Sequence, residues 1–186
     1  MKDETQILYA CPTDDCVVLR VMGRGTFLNS MPLKRTIERM QGRNPKTAFV
    51  LDLEQCDTMD STFMGVLAGV GLGQRREGKP SLTLVNVCER AQKLLQTLGL
   101  SHFLEVRPRS DSPLSTEALA SFIPTEDGPV SRRQQILHMI EAHEELINLD
   151  SRNSVQFENV LKYLEDSLER AAGAEQPAVA TASQRQ

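Results

Sequence analysis

The sequence predicts an α/β fold: a β-sheet with helices packed on one face, followed by an α-helical hairpin. Three observations predict it. Apolar, β-branched runs alternate with helix-period segments along residues 5–123. Two of these runs, residues 47–53 and 81–87, are almost continuously apolar, the pattern of strands buried on both faces. Past a Pro- and Gly-bearing stretch at residues 124–130, the pattern becomes that of two amphipathic helices joined by a short connection.

The elements follow in order. Residues 7–10 can pair with the β-branched run 16–22 across a Pro12-Thr13-Asp14-Asp15 turn. Gly23-Arg24-Gly25 ends that strand. Ser30 or Met31 then precedes Pro32, a residue favoured in a first helical turn, and Leu33, Ile37 and Met40 keep the spacing of one helical face up to Gly42. Residues 47–53 form a buried strand and 54–59 a loop. Asp60 or Ser61 can cap a helix over 62–76, although Gly65, Gly69, Gly71 and Gly73 each weaken it by up to about 1 kcal/mol relative to Ala. Small residues facing the sheet would let that helix sit close to it. Residues 81–87 are a strand, 89–98 a helix with Ala91, Leu94, Leu95 and Leu98 on one stripe, and Gly99 its terminator. A short strand at 103–106 and a short helix at 115–122 complete the unit, giving the order β-β-α-β-α-β-α-β-α.

The linker is residues 124–130. Ser131 to Gln134 reads as a capping box. The hairpin, residues 131–172, carries Ile136, Met139, Ile140, His143, Leu146 and Ile147 on its first helix and Phe157, Val160, Leu161, Leu164 and Leu168 on its second. Residues 173–186 are Ala, Gln, Ser, Thr and Pro with little to bury, a disordered tail by composition.

Composition excludes several classes of function. The 186 residues are 40% hydrophobic and 25% charged, which is ordinary globular chemistry. Aromatics are 4% with no Trp, and the net charge is −4, so neither a base-stacking platform nor an electrostatic reason to bind nucleic acid or anionic lipid is present. The charge is uneven: residues 1–124 hold 15 Lys+Arg against 14 Asp+Glu, and residues 125–186 hold 6 against 11. No signal-like or membrane-spanning run is visible, which implies a cytoplasmic chain without membrane insertion. Cys11, Cys16, Cys56 and Cys88 have no C-x-x-C spacing, and Cys16 and Cys88 read as small hydrophobes in or beside strands. His138 and His143, five apart, lie off one helical face and read as solvent-facing. No metal site, cofactor or catalytic set is placed by spacing. The run Gly69-Val70-Gly71-Leu72-Gly73 lacks the spacing and strand–helix context of a phosphate loop.

One stretch carries functional information. The strand of residues 50–53 gives way to a short loop, and Asp60-Ser61-Thr62 opens a glycine-bearing helix. Further on come the strand 81–87 and the run Arg90-Ala91-Gln92-Lys93-Leu94-Leu95-Gln96-Thr97-Leu98-Gly99-Leu100. This combination resembles the STAS domain, the fold of bacterial anti-sigma factor antagonists and of sulfate-transporter tails, across roughly residues 5–123. The resemblance implies a STAS-like β-sheet and a non-enzymatic regulator of transcription. A partner serine kinase of the anti-sigma factor type would phosphorylate the serine matching Ser61, with Thr62 as runner-up acceptor, and a phosphatase would reset it. The partner would dock on Asp60, Ser61, Thr62, Phe63, Met64 and Gly65. The family usually has glycine where Phe63 stands, so here a large apolar side chain would meet the kinase. The alternative is a scaffold or adaptor in a signalling or transport complex that is never phosphorylated. The hairpin lies outside the resemblance. It reads as a packed extension or as a partner or self-association surface anchored by Ile136, Ile140, Ile147, Val160, Leu164 and Leu168. An isolated hairpin buries little, so it needs a covering surface in cis or in trans.

Overall fold

The structure is a computed structural model that describes residues 5–108, 122–125 and 128–174. The elements run β1 (Gln6–Thr13), β2 (Cys16–Gly25), α1 (Phe27–Arg43), β3 (Ala48–Asp52), β4 (Cys56–Met59), α2 (Ser61–Arg76), β5 (Thr83–Val87), α3 (Glu89–Thr97), β6 (Glu105–Pro108), β7 (Ile123–Pro124), α4 (Arg132–Leu149) and α5 (Ser154–Ala174). Short 3₁₀ turns lie at Leu100–His102 and Ser151–Asn153. Of the helix expected over 115–122, all but Phe122, which is not helical, lies outside the described residues, as do residues 175–186 of the expected tail.

The seven-stranded sheet has the order β6-β5-β3-β2-β1-β7, with β4 paired to β2 off that path. The middle is parallel and the β1 side antiparallel, as a hairpin followed by β-α-β crossovers dictates. β5 has Leu84 and Val85 at zero exposure, and its Asn86 and Val87 are also buried, consistent with a strand covered on both faces. The core joins Leu19, Val21, Phe49, Leu51 and Leu84 of the sheet to Leu33 and Ile37 of α1 and to Phe63 and Leu67 of α2.

A buried polar knot pins the central register. Arg20 and Asp52 face each other across β2 and β3. Asp52, with no exposure, accepts from Arg20 Nε (2.7 Å), Asn86 Nδ2 (2.7 Å) and the Glu54 N–H (3.1 Å). Arg20 Nη2 adds an ion pair at 2.6 Å, and the guanidinium lies 4.7 Å from the Phe122 ring centroid.

Four expectations change. Residues 56–59 are not loop: they form β4, parallel to the extension of β2 through Gly23–Gly25. Gly23, with φ of 71°, carries β2 past the expected break by a conformation that glycine adopts without strain. α1 starts five residues before Pro32. Thr26 is its N-cap, and Asn29 Oδ1 accepts the Thr26 N–H at 2.8 Å. Pro32 deprives only the carbonyl of Leu28, a residue that is 65% exposed, so water can satisfy that group. Finally, Cys88 is exposed at the N-cap of α3 instead of buried beside its strand.

The chain from 124 onward is tied to the rest. Pro124 pairs with Leu8 and the Thr125 N–H donates to the Ile7 carbonyl at 2.9 Å. Ser131 and Gln134 form the capping box at the start of α4. The turn between α4 and α5 docks through buried Asn153, whose Nδ2 donates to the carbonyls of Leu98 (3.1 Å) and Leu146 (2.7 Å).

Candidate functional site

The start of α2 is built by Asp60. Its backbone N–H donates to the Gly25 carbonyl at 2.9 Å. Its Oδ1 accepts the Phe63 N–H at 2.8 Å, the bond of an N-cap. Its Oδ2 accepts the N–H of Phe27, the first residue of α1, at 2.9 Å. One carboxylate thus satisfies unpaired donors at two helix N-termini, where both helix dipoles favour negative charge.

Ser61 takes no part in that capping. Its half-buried Oγ lies 2.9 Å from Nε2 of His143 on α4. The other ring nitrogen, Nδ1, is 2.7 Å from the Met139 carbonyl, which can only accept, so Nδ1 carries the proton. In the neutral ring Nε2 is then the acceptor and Ser61 the donor. A second histidine repeats the arrangement on α1: His138 Nε2 is 2.8 Å from Ser30 Oγ. Burial holds the His138 pKa below the usual histidine range, and Lys34 adds to that.

Both histidines are therefore buried, 6% and 3% exposed, contrary to the solvent-facing expectation. The reason is where α4 sits. At 3.6 residues per turn, five residues separate two side chains by about 140° around the axis. α4 lies over α2 and also touches α1, so a wide arc of its surface is covered. Ala142 and Leu146 occupy the centre of that arc, and the two histidines form its edges, His138 toward α1 and His143 toward α2. The sequence signal was present for His143, which stands in the apolar stripe of the helix.

The approach of α4 to α2 is set by Gly65. A Cβ there would lie 2.1 Å from the Ala142 carbonyl oxygen. The close approach expected between the α2 glycines and the sheet is thus, at Gly65, an approach to another helix. Gly69 likewise faces Glu145 of α4. Lys34 of α1 bonds Glu141 of α4 at 2.5 Å.

The structure distributes the expected partner-binding residues unevenly. Asp60 and Ser61 are half-buried, whereas Thr62, Phe63, Met64 and Gly65 are buried. Phe63 does not stand at a docking surface: it has no exposure, and it packs so closely on Gly25 that a Cβ there would lie 2.9 Å from its Cδ1. Thr62, the alternative acceptor, is 4% exposed. Of the hairpin anchors, Ile136 and Leu164 are consumed within the chain, Ile140, Ile147 and Leu168 are half-buried, and Val160 is 36% exposed. Phe27, whose N–H donates to Asp60, and the next residue, Leu28, are exposed apolar side chains that no sequence pattern marks.

Among the described residues no group of three or more His, Cys, Asp or Glu side chains could hold a metal ion. No helix among them is long and apolar enough to cross a membrane. A cleft of about 250 Å³ lies between α1, α2 and α4, away from the helix starts. The 69–73 glycine run is helical, within α2.

A mixed sheet entered by a β-hairpin, with an Asp-Ser start to the helix after β4, defines an α/β module of the STAS type. The family model described as "Mlab, STAS domain" matches residues 12–106, and the chain belongs to the STAS domain family. Among solved structures, the chain is similar to a protein assigned as an anti-sigma factor antagonist of Thermotoga maritima, at 20% identity, over 60% of this chain and 89% of that one, with a TM-score of 0.49. It is similar to the anti-sigma factor antagonist SpoIIAA in its unphosphorylated form, at 18% identity, over 61% of this chain and 94% of that one, with a TM-score of 0.48. It is also similar to the murine Solute Carrier 26 family member A9 anion transporter, at 15% identity, over 56% of this chain and 21% of that one, with a TM-score of 0.44. No curated protein sequence matches the chain.

Proposed function

We propose that this protein is a bacterial cytoplasmic regulator of the anti-sigma factor antagonist type, switched by phosphorylation of Ser61. In this reading the start of α2 binds a serine kinase that is itself an anti-sigma factor, phosphate on Ser61 breaks the complex, and a phosphatase restores it.

The observation that carries the reading is the division of labour between Asp60 and Ser61. Asp60 alone supplies the cap, so the Ser61 hydroxyl is not required to start the helix. A phosphate on Ser61 would sit at a helix N-terminus, where the fold tolerates it, and would bring about −1.5 to −2 charges to the site. Around it, residues 1–124 are nearly neutral. A docked partner would have to desolvate that charge, so binding is lost while the sheet and the α2 cap made by Asp60 are kept. Exposed Phe27 and Leu28 beside Asp60 supply apolar contact for such a partner. Incubation with the serine kinases of the host, followed by phosphosite mapping, tests the reading. Phosphate is expected on Ser61 and not on buried Thr62; its absence from both overturns the switch.

The Ser61–His143 bond favours a second reading, in which Ser61 is a structural hydroxyl and the domain a constitutive scaffold. Ser61→Asp separates the two. Loss of a captured partner supports the switch, and unchanged capture supports the scaffold.

A further inference from the structure

We propose that the cleft between α1, α2 and α4 binds a small primary ammonium compound that carries an amide or carbonyl oxygen at its other end. The site is separate from Ser61 and adds a ligand to the regulatory reading.

The cleft is made by leaving side chains out. Gly65, Gly69 and Gly73 recur every fourth residue along α2, so one strip of that helix is bare and forms the floor. Ile37 of α1 and Val66 and Val70 of α2 supply apolar wall. The volume of about 250 Å³ falls below the range of about 300–1,000 Å³ typical of sites for drug-sized molecules, which suits a smaller occupant. The third wall comes from α4, which lies beyond the residues 12–106 that match the STAS domain model. The cleft therefore belongs to a STAS domain that carries this hairpin.

Polar ends that line the cleft lack partners. Gln74 is 3% exposed, and its Oε1 accepts the N–H of Leu82, a residue outside the cleft, at 2.7 Å. The Leu82 N–H can only donate, so the amide oxygen must face it and Nε2 is the arm left to the cleft. That nitrogen is buried and has no hydrogen-bond partner. The same holds for Gln41 Nε2 of α1 and Glu145 Oε2 of α4. Each of the three helices thus brings one unsatisfied group to the same space, two of them amide donors and one a carboxylate acceptor. Leaving such groups unpaired is costly, and an occupant that pairs them offsets that cost.

Charge selects the sign of the occupant. The carboxylates of Glu38, Glu77, Glu141 and Glu145 line the cleft against the one ammonium of Lys34. Lys34 is engaged by Glu141 at 2.5 Å and by Glu38 at 3.9 Å, and Glu77 is paired with Lys79. Glu145 remains, its stem held against α2 where a Cβ on Gly69 would lie 3.1 Å from its Cγ. A ligand ammonium pairs with Glu145, an alkyl spacer lies on the glycine floor, and the far oxygen accepts from Gln41 and Gln74. An anion would meet an excess of like charge.

The test titrates the full chain with δ-aminovaleramide, γ-aminobutyramide and β-alaninamide and follows amide chemical shifts by nuclear magnetic resonance. Neutral valeramide and anionic glutaramate are controls of matched length. At least one ammonium compound is expected to give saturable shifts at Gly69, Gly73 and the side-chain amides of Gln41 and Gln74. It should bind at least tenfold more tightly than valeramide, and glutaramate should give no shift. Glu145→Gln keeps the stem on Gly69 and removes the charge, so it should weaken the ammonium compound at least tenfold and leave valeramide unchanged. Gly73→Leu fills the cleft and should abolish binding of both. A Cβ at Gly73 meets nothing within 4 Å, so the fold is kept, which circular dichroism checks. A cleft that holds water only gives no saturable shift with any of the three compounds and overturns the proposal. So does binding that survives Gly73→Leu, binding indifferent to Glu145→Gln, or equal binding of glutaramate.

Discussion

Substituting Gly65 by Ala sets two physical effects against each other. Gly65 lies in the middle of α2, where Ala is favoured over Gly by about 1 kcal/mol. An account based on helix propensity alone therefore predicts a stabilised protein. Packing predicts the reverse. The added Cβ would lie 2.1 Å from the Ala142 oxygen, 2.6 Å from its carbonyl carbon and 2.9 Å from its Cα. All three are backbone atoms, so no side-chain rotation can relieve the contact. Bringing the shortest distance to 3.0 Å moves α4 by about 0.9 Å. Overpacking of this kind costs about 1–3 kcal/mol. Because rigid backbone is involved, the upper part of that range applies, and subtracting the propensity gain leaves a net loss of about 1–2 kcal/mol. For a chain of this length that lowers Tm by about 2–8 °C. Urea denaturation gives the free energy, and hydrogen–deuterium exchange locates it: protection should fall first in α4 and at Asn153. A variant stabilised by about 1 kcal/mol with α4 equally protected would refute the packing argument.

Three further perturbations test other parts of the structure. Asp52→Ala removes the carboxylate that pairs with the part-buried Arg20 cation, and should cost about 3–5 kcal/mol, read as a lower urea midpoint. Asp60→Ala removes the cap of α2 and the acceptor for the Phe27 N–H together, and should cost up to about 2 kcal/mol, with faster amide exchange at both helix starts. Stability should also fall on mild acidification. The His138 pKa is lowered chiefly by burial, with Lys34 and Arg35 of α1 acting in the same direction and Glu141 of α4 and Asp60 opposing them. The unfolded chain therefore takes the proton more readily. The His138 contribution is complete above its unfolded pKa of about 6.5, and is lost as pH falls below that value toward the folded pKa. His138→Gln keeps a partner for Ser30, and should flatten this part of the pH profile of urea midpoints while leaving the midpoint at high pH within about 1 kcal/mol.

The alternation of strands and helices was legible because each of those elements buries enough of itself to leave a periodic trace. β4 left none: Cys56-Asp57-Thr58-Met59 is half polar, and its strand exists because β2 continues through Gly23–Gly25 to meet it. Pro32 marks a first helical turn by residue type but stands inside α1, whose start is set by Thr26 and Asn29. At the site, Asp60 as cap was legible from residue type and position. The burial of Phe63 was not, because its pocket is opened by Gly25, a residue far away in sequence. Nor were the contacts of the two histidines, which depend on where α4 comes to rest: His143 lies 82 residues beyond Ser61, and His138 lies 108 beyond Ser30.

That placement changes what the hairpin is for. An acidic extension with its apolar stripe on one side could rest on many surfaces. What selects α2 is the coincidence of a missing Cβ at Gly65 with hydroxyls at Ser30 and Ser61, spaced to meet two histidines on opposite edges of α4. Apolar burial supplies most of the attraction but little direction, whereas hydrogen bonds in a partly dry contact penalise every other register. Leu146 at zero exposure and Phe157 at 8% extend the core into the hairpin, so α4 is held firmly in the free protein. The hydroxyl proposed as the switch is one of the two that fix the register. Changing the chemistry of Ser61 therefore changes the seat of α4 as well as the surface offered to a partner, and the two effects should appear together in any variant of that residue.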